Sequence, residues 1–404
     1  MQSTTSPFAI PLSADVPFAV SIEALATQLA HVVDQRQPRG VRYPLAPLLT
    51  IAILAKLAGH SRVEAIADWA RLRAAALTRL FGLRRPTMPH ARTWGRILAI
   101  AVDPAVLATL LGQVFCPPRQ AGPLPARGSD VLAADGKTLR GTIPLGQTQG
   151  VHLVALYHPA TGVTLAQLAV DQKTNEITVV PTLLAEVDLT GKVVTGDAMH
   201  CQQALSRQIV AAGGDYLWQV RDNQPTLLTD IRQVFAPGTL WVTPLPGWSD
   251  PPPDWQTART VEAGHGRIEE RVITTSSMLA EYTPWPGLAQ VFQLERVVTD
   301  GLGRETREVR YGITSLPADA ADAARVLAIA RAHWGIENGL HYRRDVTLQE
   351  DASLLRRGQG AAVLAALNNA VIGLIRHHGE HNLAAVQRRF LYLWDQALHR
   401  LSGR

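Results

Sequence analysis

Residues 129–141 read SDVLAADGKTLRG, and residues 192–197 read KVVTGD. Each stretch is a short, mostly apolar run followed by an aspartate, Asp135 in the first and Asp197 in the second. Short apolar runs bounded by turn residues are typical of strands buried in the core of a sheet. The two stretches therefore predict two core strands, each with a carboxylate at its end.

The sequence around these stretches alternates between strand and helix patterns. The patterns predict strands at 129–135, 151–157, 163–170, 192–197 and 215–220, and helices at 176–188, 202–212, 225–235, 319–334 and 336–342. Between the predicted helices at 225–235 and 319–334, residues 237–310 contain Pro-rich turns and short alternating runs, which predict a β-rich insertion. This order is that of an α/β protein with a ribonuclease-H-like core, a mixed sheet with helices packed on its faces.

The sequence also predicts how the chain divides into domains. Residues from Ile22 to about Leu111 have a helical pattern, and CPPRQAGPLPARG after Phe115 is typical of a linker. The predicted divisions are a flexible lead-in (1–20), an all-α N-terminal domain (21–115), a linker (116–128), the ribonuclease-H-like core (129–236 and 311–360), the β-rich insertion (237–310) and C-terminal helices (361–404).

Basic residues are concentrated in the N-terminal third of the chain. Residues 1–128 hold fourteen Lys and Arg against six Asp and Glu, whereas the whole chain carries a formal charge of only +5. A basic module of this kind favours contact with phosphate. The alternative is an ordinary arginine-rich surface exposed to solvent.

Composition excludes several other classes of protein. The two cysteines, Cys116 and Cys201, lie far apart without CxxC spacing, so neither a disulfide framework nor a zinc finger is indicated. The N-terminus lacks the basic and apolar segments of a signal peptide. The most apolar stretches, 45–57 and 361–375, are short or interrupted by polar residues, so they are interpreted as buried helices. We therefore expect a soluble cytoplasmic protein, associated with the nucleoid and not with a membrane.

The two aspartates suggest metal chemistry. In a ribonuclease-H-like sheet the first and fourth strands are neighbours, so Asp135 and Asp197 are expected side by side, where like charges repel unless a cation neutralises them. Divalent metal ions that assist phosphodiester cleavage prefer such carboxylate oxygens. The alternative is that these aspartates are helix caps or turn formers, especially Asp135 before Gly136.

A third acid is expected from the helix after the insertion. Glu337 lies between Ile336 and Leu340, near the buried boundary of its helix, where an unpaired carboxylate is costly. The alternative for Glu337 is a salt bridge to Arg331 or Arg344.

Six stretches of the chain together resemble one family. ADGKTLRG, KTNEI, GDAMHCQ, DYLWQVRDNQ, HGRIE and HWGIENGLHYRRDVTLQEDAS resemble the insertion-sequence transposases with an Asp–Asp–Glu (DDE) triad, in the branch that includes the H-repeat-associated proteins. The N-terminal RGVRYPLAPLLTIAILAKLAG is similar to the accessory helical domain of that branch. The resemblance covers about residues 35–360 in colinear order.

The resemblance implies roles for particular residues. Asp135, Asp197 and Glu337 match the catalytic, metal-binding triad, which implies Mg²⁺ (or Mn²⁺), with two ions as the expected number. The Tyr–Arg–Glu–Lys pattern of related transposases is only partly kept, because Ala330, His333 and Arg344 stand where Tyr, Arg and Lys are expected. Arg344 keeps the basic character and is a candidate DNA contact.

Four further basic residues are candidate contacts to DNA phosphate. Lys137 and Arg140 follow the first aspartate closely, while Lys173 and Arg221 follow neighbouring strands at the same rim. For each, an ordinary surface charge or turn residue is the alternative. His200 and His333 lie near the acids in sequence and are interpreted as hydrogen-bonding neighbours, with metal ligation as the alternative.

These observations favour a DNA transposase of a mobile element. Such an enzyme binds the element ends and uses metal-dependent endonuclease and strand-transfer chemistry on the terminal inverted repeats and the target DNA. Such an enzyme is compatible with a homo-oligomer in the complex with the element ends. Two alternatives stay open: a catalytically inactive DNA-binding remnant of a mobile element, and a metal-dependent phosphoesterase acting on small substrates.

Overall fold

A computed structural model of the chain describes residues 19–39, 41–117, 125–170, 176–236, 254–264 and 266–401. Its helices are α1 (Ala19–Leu29), α2 (Leu45–Leu57), α3 (Val63–Leu72), α4 (Ala74–Leu80), α5 (Ala91–Ile100), α6 (Pro104–Phe115), α7 (Glu176–Ala185), α8 (Gln203–Ala211), α9 (Pro225–Val234), α10 (Ala323–His333), α11 (Gly360–His377) and α12 (Leu383–Leu401). Its strands are β1 (Asp130–Thr138), β2 (His152–His158), β3 (Val163–Val170), β4 (Lys192–Gly196), β5 (Asp215–Val220), β6 (Gln256–Gly264), β7 (Arg267–Ser276), β8 (Gln290–Asp300) and β9 (Glu305–Thr314).

The described strands form one mixed sheet. Their hydrogen-bonded order is β3-β2-β1-β4-β5-β9-β8-β7-β6. β1, β4 and β5 run parallel, whereas β2 with β3, and every pair from β5 to β6, are antiparallel. The order of strands and helices therefore confirms the predicted α/β, ribonuclease-H-like class, with an all-α region before it.

The β-rich insertion continues this sheet. β9 pairs with β5 from Leu217↔Thr314 to Val220↔Tyr311, and β8, β7 and β6 follow as antiparallel neighbours. Arg–Glu pairs between these strands, such as Arg259–Glu270 and Arg307–Glu295, satisfy the charges on their exposed faces. The Pro-rich part of the predicted insertion, at 237–253, lies outside the described residues.

The chain separates into two compact units. Unit 1 comprises residues 1–120, 136–186 and 336–404, and unit 2 comprises residues 121–135 and 187–335. In unit 1, β2 is buried along its whole length, and Leu139 and Leu153 pack against Ala361, Ala362 and Ala365 of α11. In unit 2, β4 and β5 pack against the apolar face of α10 through Val193, Leu217 and Val326. This division differs from the predicted domain limits, which stay a prediction.

One described helix, α11, has the length and apolar composition of a membrane span, and the bent pair of α5 and α6 passes the same criterion only if it is counted as one span. In α11, 89% of the apolar window is buried inside the protein. Its apolar side chains therefore have protein partners in the core of unit 1.

Polar side chains inside unit 1 form a hydrogen-bonded chain that we call the buried polar network. Lys56 donates to Asn368 at 2.8 Å, Asn368 donates to Glu350 at 2.8 Å, and Arg344 donates to the other Glu350 oxygen at 2.8 Å. Asn369 and Arg344 both donate to Gln167. Lys56 and the Asn368–Asn369 pair, which interrupt two apolar stretches of the sequence, are therefore paired inside the core. Such pairing offsets the cost of burying polar groups.

Lys56 makes the stability of unit 1 depend on pH. Burial lowers the pKa of Lys56 to about 8, against the opposing effect of Glu350. The unfolded chain, with an ordinary lysine pKa, binds more protons above pH 8, so stability rises with pH between about 8 and 10.5. We expect this group to add about 2 kcal/mol to the free energy of unfolding between pH 7 and 9.5.

Denaturant unfolding at pH 7 and at pH 9.5 tests this expectation. The increase should be absent in Lys56→Met and kept in Lys192→Met, because Lys192 is only partly buried. An equal increase in wild type and Lys56→Met would show that Lys56 does not cause it.

Candidate active site

The register between β1 and β4 brings Asp135 and Asp197 to one edge of the sheet in unit 2. The last paired residues of the two parallel strands are Ala134 and Gly196, and each aspartate is the next residue in its chain. Neighbouring strands lie about 4.8 Å apart. The sequence predicted that Asp135 ends its strand. Because β1 continues to Thr138, Asp135 lies within the strand instead.

The structural alternatives for these aspartates do not hold. Because β1 continues past Gly136, Asp135 is not a turn former. Asp197 occupies the N-cap position of the short 3₁₀ turn Ala198–His200, but its side chain makes no capping hydrogen bond there. The carboxylate of Asp197 is 65% exposed, so it is accessible to a ligand.

Histidine stabilises the charge of Asp197. Nε2 of His333, at the end of α10, lies 3.7 Å from a carboxylate oxygen of Asp197, while Nδ1 of the same ring lies 3.2 Å from the hydroxyl of Thr195. The contact with His333 holds the pKa of Asp197 below its usual value, against the effect of burial, with smaller contributions from His200 and Arg221. Asp197 is therefore ionised at neutral pH.

Other residues that the sequence analysis singled out lie near Asp197. Arg221 is exposed and follows β5, and the loop after it is fastened near Asp197: Asn223 donates to the Ala198 carbonyl at 2.7 Å, and Gln224 donates to the Cys201 carbonyl at 2.9 Å. His200 is completely buried. His333 is a hydrogen-bonding neighbour here, as expected.

Glu337 lies in unit 1, in a π-helical segment at Glu337–His341. It is exposed, whereas Ile336 and Leu340 beside it are buried, so the prediction that Glu337 lies at a buried boundary is wrong. The cause is the helical spacing of 336 and 340, which turns 337 away from the core. Both predicted ion-pair partners are engaged elsewhere, Arg331 by Glu262 and Arg344 by Glu350.

His341 is a residue that the sequence analysis missed. One of its ring nitrogens and a carboxylate oxygen of Glu337 lie within 4.8 Å of each other. The ring is 5% exposed. The available signal was the spacing of the two residues in ENGLH, because residues four apart on a helix are neighbours.

Close packing holds this segment in place within unit 1. Gly339 lies so close to the Tyr157 hydroxyl that a side chain at position 339 would overlap it. Gly136, directly after Asp135, packs in the same way against His152 and Glu176, a fully buried pair at 2.7 Å. Gly136 directly after Asp135, and Gly339 two residues after Glu337, therefore both allow close packing near the candidate acids.

The predicted DNA contacts have different surroundings. Arg140 is exposed, and its backbone N–H donates to Asp351 at 2.9 Å. Lys137 forms an ion pair with Asp345 at 2.5 Å and is mostly buried. Lys173 lies outside the described residues.

The structure contradicts Arg344 as a DNA contact. Its side chain is fully buried and paired with Glu350 at 2.8 Å. Reaching DNA would require this buried charge pair to separate, which is strongly unfavourable. Arg344 is therefore part of the buried polar network.

The described residues fit a divalent cation. Asp135 and Asp197 directly follow paired residues of the neighbouring strands β1 and β4, so both offer carboxylate oxygens at the same edge of the sheet, and the pKa of Asp197 is lowered. Hard ions such as Mg²⁺ bind oxygen ligands of this kind. Neutralising two adjacent carboxylates also removes their mutual repulsion.

Comparison with known proteins identifies the family. Residues 126–374 match the family model described as Transposase DDE domain, and residues 26–114 match one described as DDE_Tnp_1-associated. YncI of Escherichia coli O157:H7 is 30% identical over 88% of each chain, and YhhI of Escherichia coli K12 is 28% identical over 88% of this chain and 91% of its own. Both carry transposase in their names, and YhhI is H repeat-associated.

A structural alignment with the transposase chain of a solved piggyBac transposase synaptic complex with hairpin DNA covers 95% of this chain and 81% of that chain. The TM-score is 0.49 and the sequence identity is 10%. The family model of the DDE domain covers well over half of the chain, including all three acids of the predicted triad. The chain belongs to the transposases with a DDE domain.

Proposed function

We propose that the protein cleaves the ends of a mobile DNA element and joins them to target DNA, using Asp135, Asp197 and Glu337 to hold divalent metal ions. Transposases act on DNA, and DDE transposases depend on metal, so the family supports both the partner and the cofactor. The observation that carries the proposal is the β1–β4 register, in which Asp135 and Asp197 follow directly paired residues.

Glu337 is included because of its place in the chain. His333, whose ring contacts Asp197, ends α10, and Glu337 follows it by four residues, about one helical turn. The two ion-pair alternatives for Glu337 are also excluded by the partners of Arg331 and Arg344. We therefore assign Glu337 as the third acid.

In this proposal the protein binds and orients DNA for a phosphodiester displacement. Asp135, Asp197 and Glu337 would hold Mg²⁺ or Mn²⁺, two ions by expectation, and such ions would supply activation of the attacking oxygen and charge stabilisation at the leaving oxygen. The ionised Asp197 and its partner acids hold the ions. Arg140 and Arg221 are both exposed; Arg140 closely follows Asp135 in the chain, and the charge of Arg221 lowers the pKa of Asp197. In this proposal both contact phosphate, and Lys173 is assigned the same role.

Lys137 and the N-terminal helices have supporting roles. Lys137 contacts phosphate only by exchanging its partner Asp345, so we expect it to contribute less than Arg221. The basic residues of the N-terminal third supply contacts that position the DNA without selecting its sequence.

One experiment separates this function from the two alternatives. Wild type, Asp197→Ala and the control Glu281→Gln, an exposed acid elsewhere in unit 2, are mixed with labelled terminal inverted repeats, with shuffled DNA or with a small phosphate ester, with and without Mg²⁺ or Mn²⁺.

Metal-dependent cleavage of the inverted repeats, lost in Asp197→Ala and kept in Glu281→Gln, supports the transposase. Binding of the repeats without cleavage supports an inactive DNA-binding remnant. Turnover of the small ester without cleavage of DNA supports a phosphoesterase.

A further inference from the structure

We propose that His341 is a further metal ligand and gives the site a mixed oxygen and nitrogen donor set. This inference rests on the proposed function, because it concerns the ion held by Glu337. The observation behind it is the distance of at most 4.8 Å between a His341 ring nitrogen and a Glu337 oxygen, both in the same π-helical segment of unit 1.

The distance is close to that required for a shared ion. Two ligands that each lie about 2.1 Å from one ion are separated by at most about 4.2 Å. A small side-chain rotation of Glu337, which is exposed, closes the remaining difference. The ring of His341 is buried, which restricts its movement, so the rotation is assigned to Glu337.

The backbone that carries this pair is held from both sides. Gly339 packs against the hydroxyl of Tyr157, between Glu337 and His341. After His341, Asp345 pairs with Lys137, and Arg344 pairs with Glu350. A rigid backbone beneath a pair of ligands lowers the ordering cost of binding a metal, although the exposed Glu337 side chain is still ordered on binding. π-helical turns inside helices are often found at functional sites.

His341 and His333 have different positions relative to the acids. The three residues His333, Glu337 and His341 repeat at intervals of four. His333 donates to or accepts from Thr195 with one nitrogen, and the other lies near Asp197. His333 therefore stabilises the charge of Asp197. His341 lies next to Glu337, the proposed third acid, and in this proposal adds its own nitrogen as a metal ligand.

A nitrogen ligand changes which metal binds best. Neutral imidazole binds first-row transition ions well, whereas Mg²⁺ prefers oxygen ligands. Loss of His341 should therefore weaken Mn²⁺ binding at least about tenfold, since even indirect partners of metal ligands change affinity about 10–100-fold. Mg²⁺ binding should change by less than about threefold, because its oxygen ligands are kept.

The test measures metal binding to the full-length protein without DNA. Affinities for Mn²⁺ and Mg²⁺ are measured by titration calorimetry for wild type, His341→Gln, His341→Asn, Glu337→Gln and the control His90→Gln, an exposed histidine elsewhere in unit 1. Pulsed electron paramagnetic resonance of bound Mn²⁺, with and without ¹⁵N-labelled histidine, reports directly on a nitrogen ligand. Thermal unfolding shows which variants are folded.

We expect a histidine nitrogen coupling in wild type and His90→Gln that is absent from both His341 variants. If His341→Gln binds Mn²⁺ like wild type and the nitrogen coupling persists, the inference is wrong. If Glu337→Gln abolishes Mn²⁺ binding in that case, the proposed metal site still stands. If neither variant changes Mn²⁺ binding, the metal site of the proposed function is itself wrong.

Discussion

Replacing Asp197 with asparagine is expected to lower metal-dependent cleavage of the element ends by at least about a thousandfold, while the affinity for the ends changes by less than about threefold. The substitution keeps the size of the side chain but removes the negative charge that we propose as a ligand of the cation. DNA affinity depends mainly on basic residues and phosphate, so it is largely independent of this side chain. Asp135→Asn and Glu337→Gln should behave in the same way.

Single-turnover cleavage and electrophoretic mobility assays measure the two quantities on the same protein samples. Glu281→Gln is the matched control, since it removes an exposed charge elsewhere in unit 2. Cleavage by Asp197→Asn within tenfold of wild type would exclude Asp197 as a metal ligand of the reaction.

A methyl group at position 339 is expected to lower cleavage about a hundredfold, because a misplacement of about 1 Å in a catalytic group has an effect of that size. By helix propensity alone, Gly339→Ala would stabilise the segment by about 1 kcal/mol. The overlap with the Tyr157 hydroxyl opposes this gain and forces the segment that carries Glu337 and His341 to shift.

The companion substitution Tyr157→Phe tests the cause. It removes the nearest overlapping atom, although the ring carbon behind it would still be only 3.0 Å from the new methyl group. The double variant, with Gly339→Ala and Tyr157→Phe together, should therefore be at least about tenfold more active than Gly339→Ala alone. The effects of substitutions at residues in contact are not additive. Gly264→Ala, at a glycine with open space around it, should have no effect. Full activity in Gly339→Ala would show that this packing does not position Glu337.

The order of strands and helices in the core could be predicted from the sequence, because each element has its own local pattern. The apolar runs before Asp135 and Asp197 are buried strands, and their parallel register is the one the fold class requires. The pairing of the insertion was not predictable from local patterns. The edge of β5 that accepts β9 is defined by residues about 90 positions away in the chain.

Residue type alone did not reveal the environment of each side chain. The sequence predicted that Arg344 contacts DNA, because related transposases have a basic residue at the matching position. Inside the core Arg344 is paired with Glu350 and Gln167, and Gln167 comes from a distant part of the chain. Glu337 is exposed because the buried residues 336 and 340 on either side of it turn it away from the core. His341 lies near Glu337 because the two residues are four apart on a helical segment, so neither environment follows from residue type alone.

Anomalous X-ray diffraction from crystals grown with Mn²⁺ and a cleaved element end locates the bound metal ions. We expect Mn²⁺ peaks bound by Asp135, Asp197 and Glu337, with two ions about 3.5–4 Å apart next to the DNA 3′ end. Manganese bound elsewhere, with the carboxyl groups of these three residues more than about 10 Å apart, would contradict it, since such a separation is too large for shared ions.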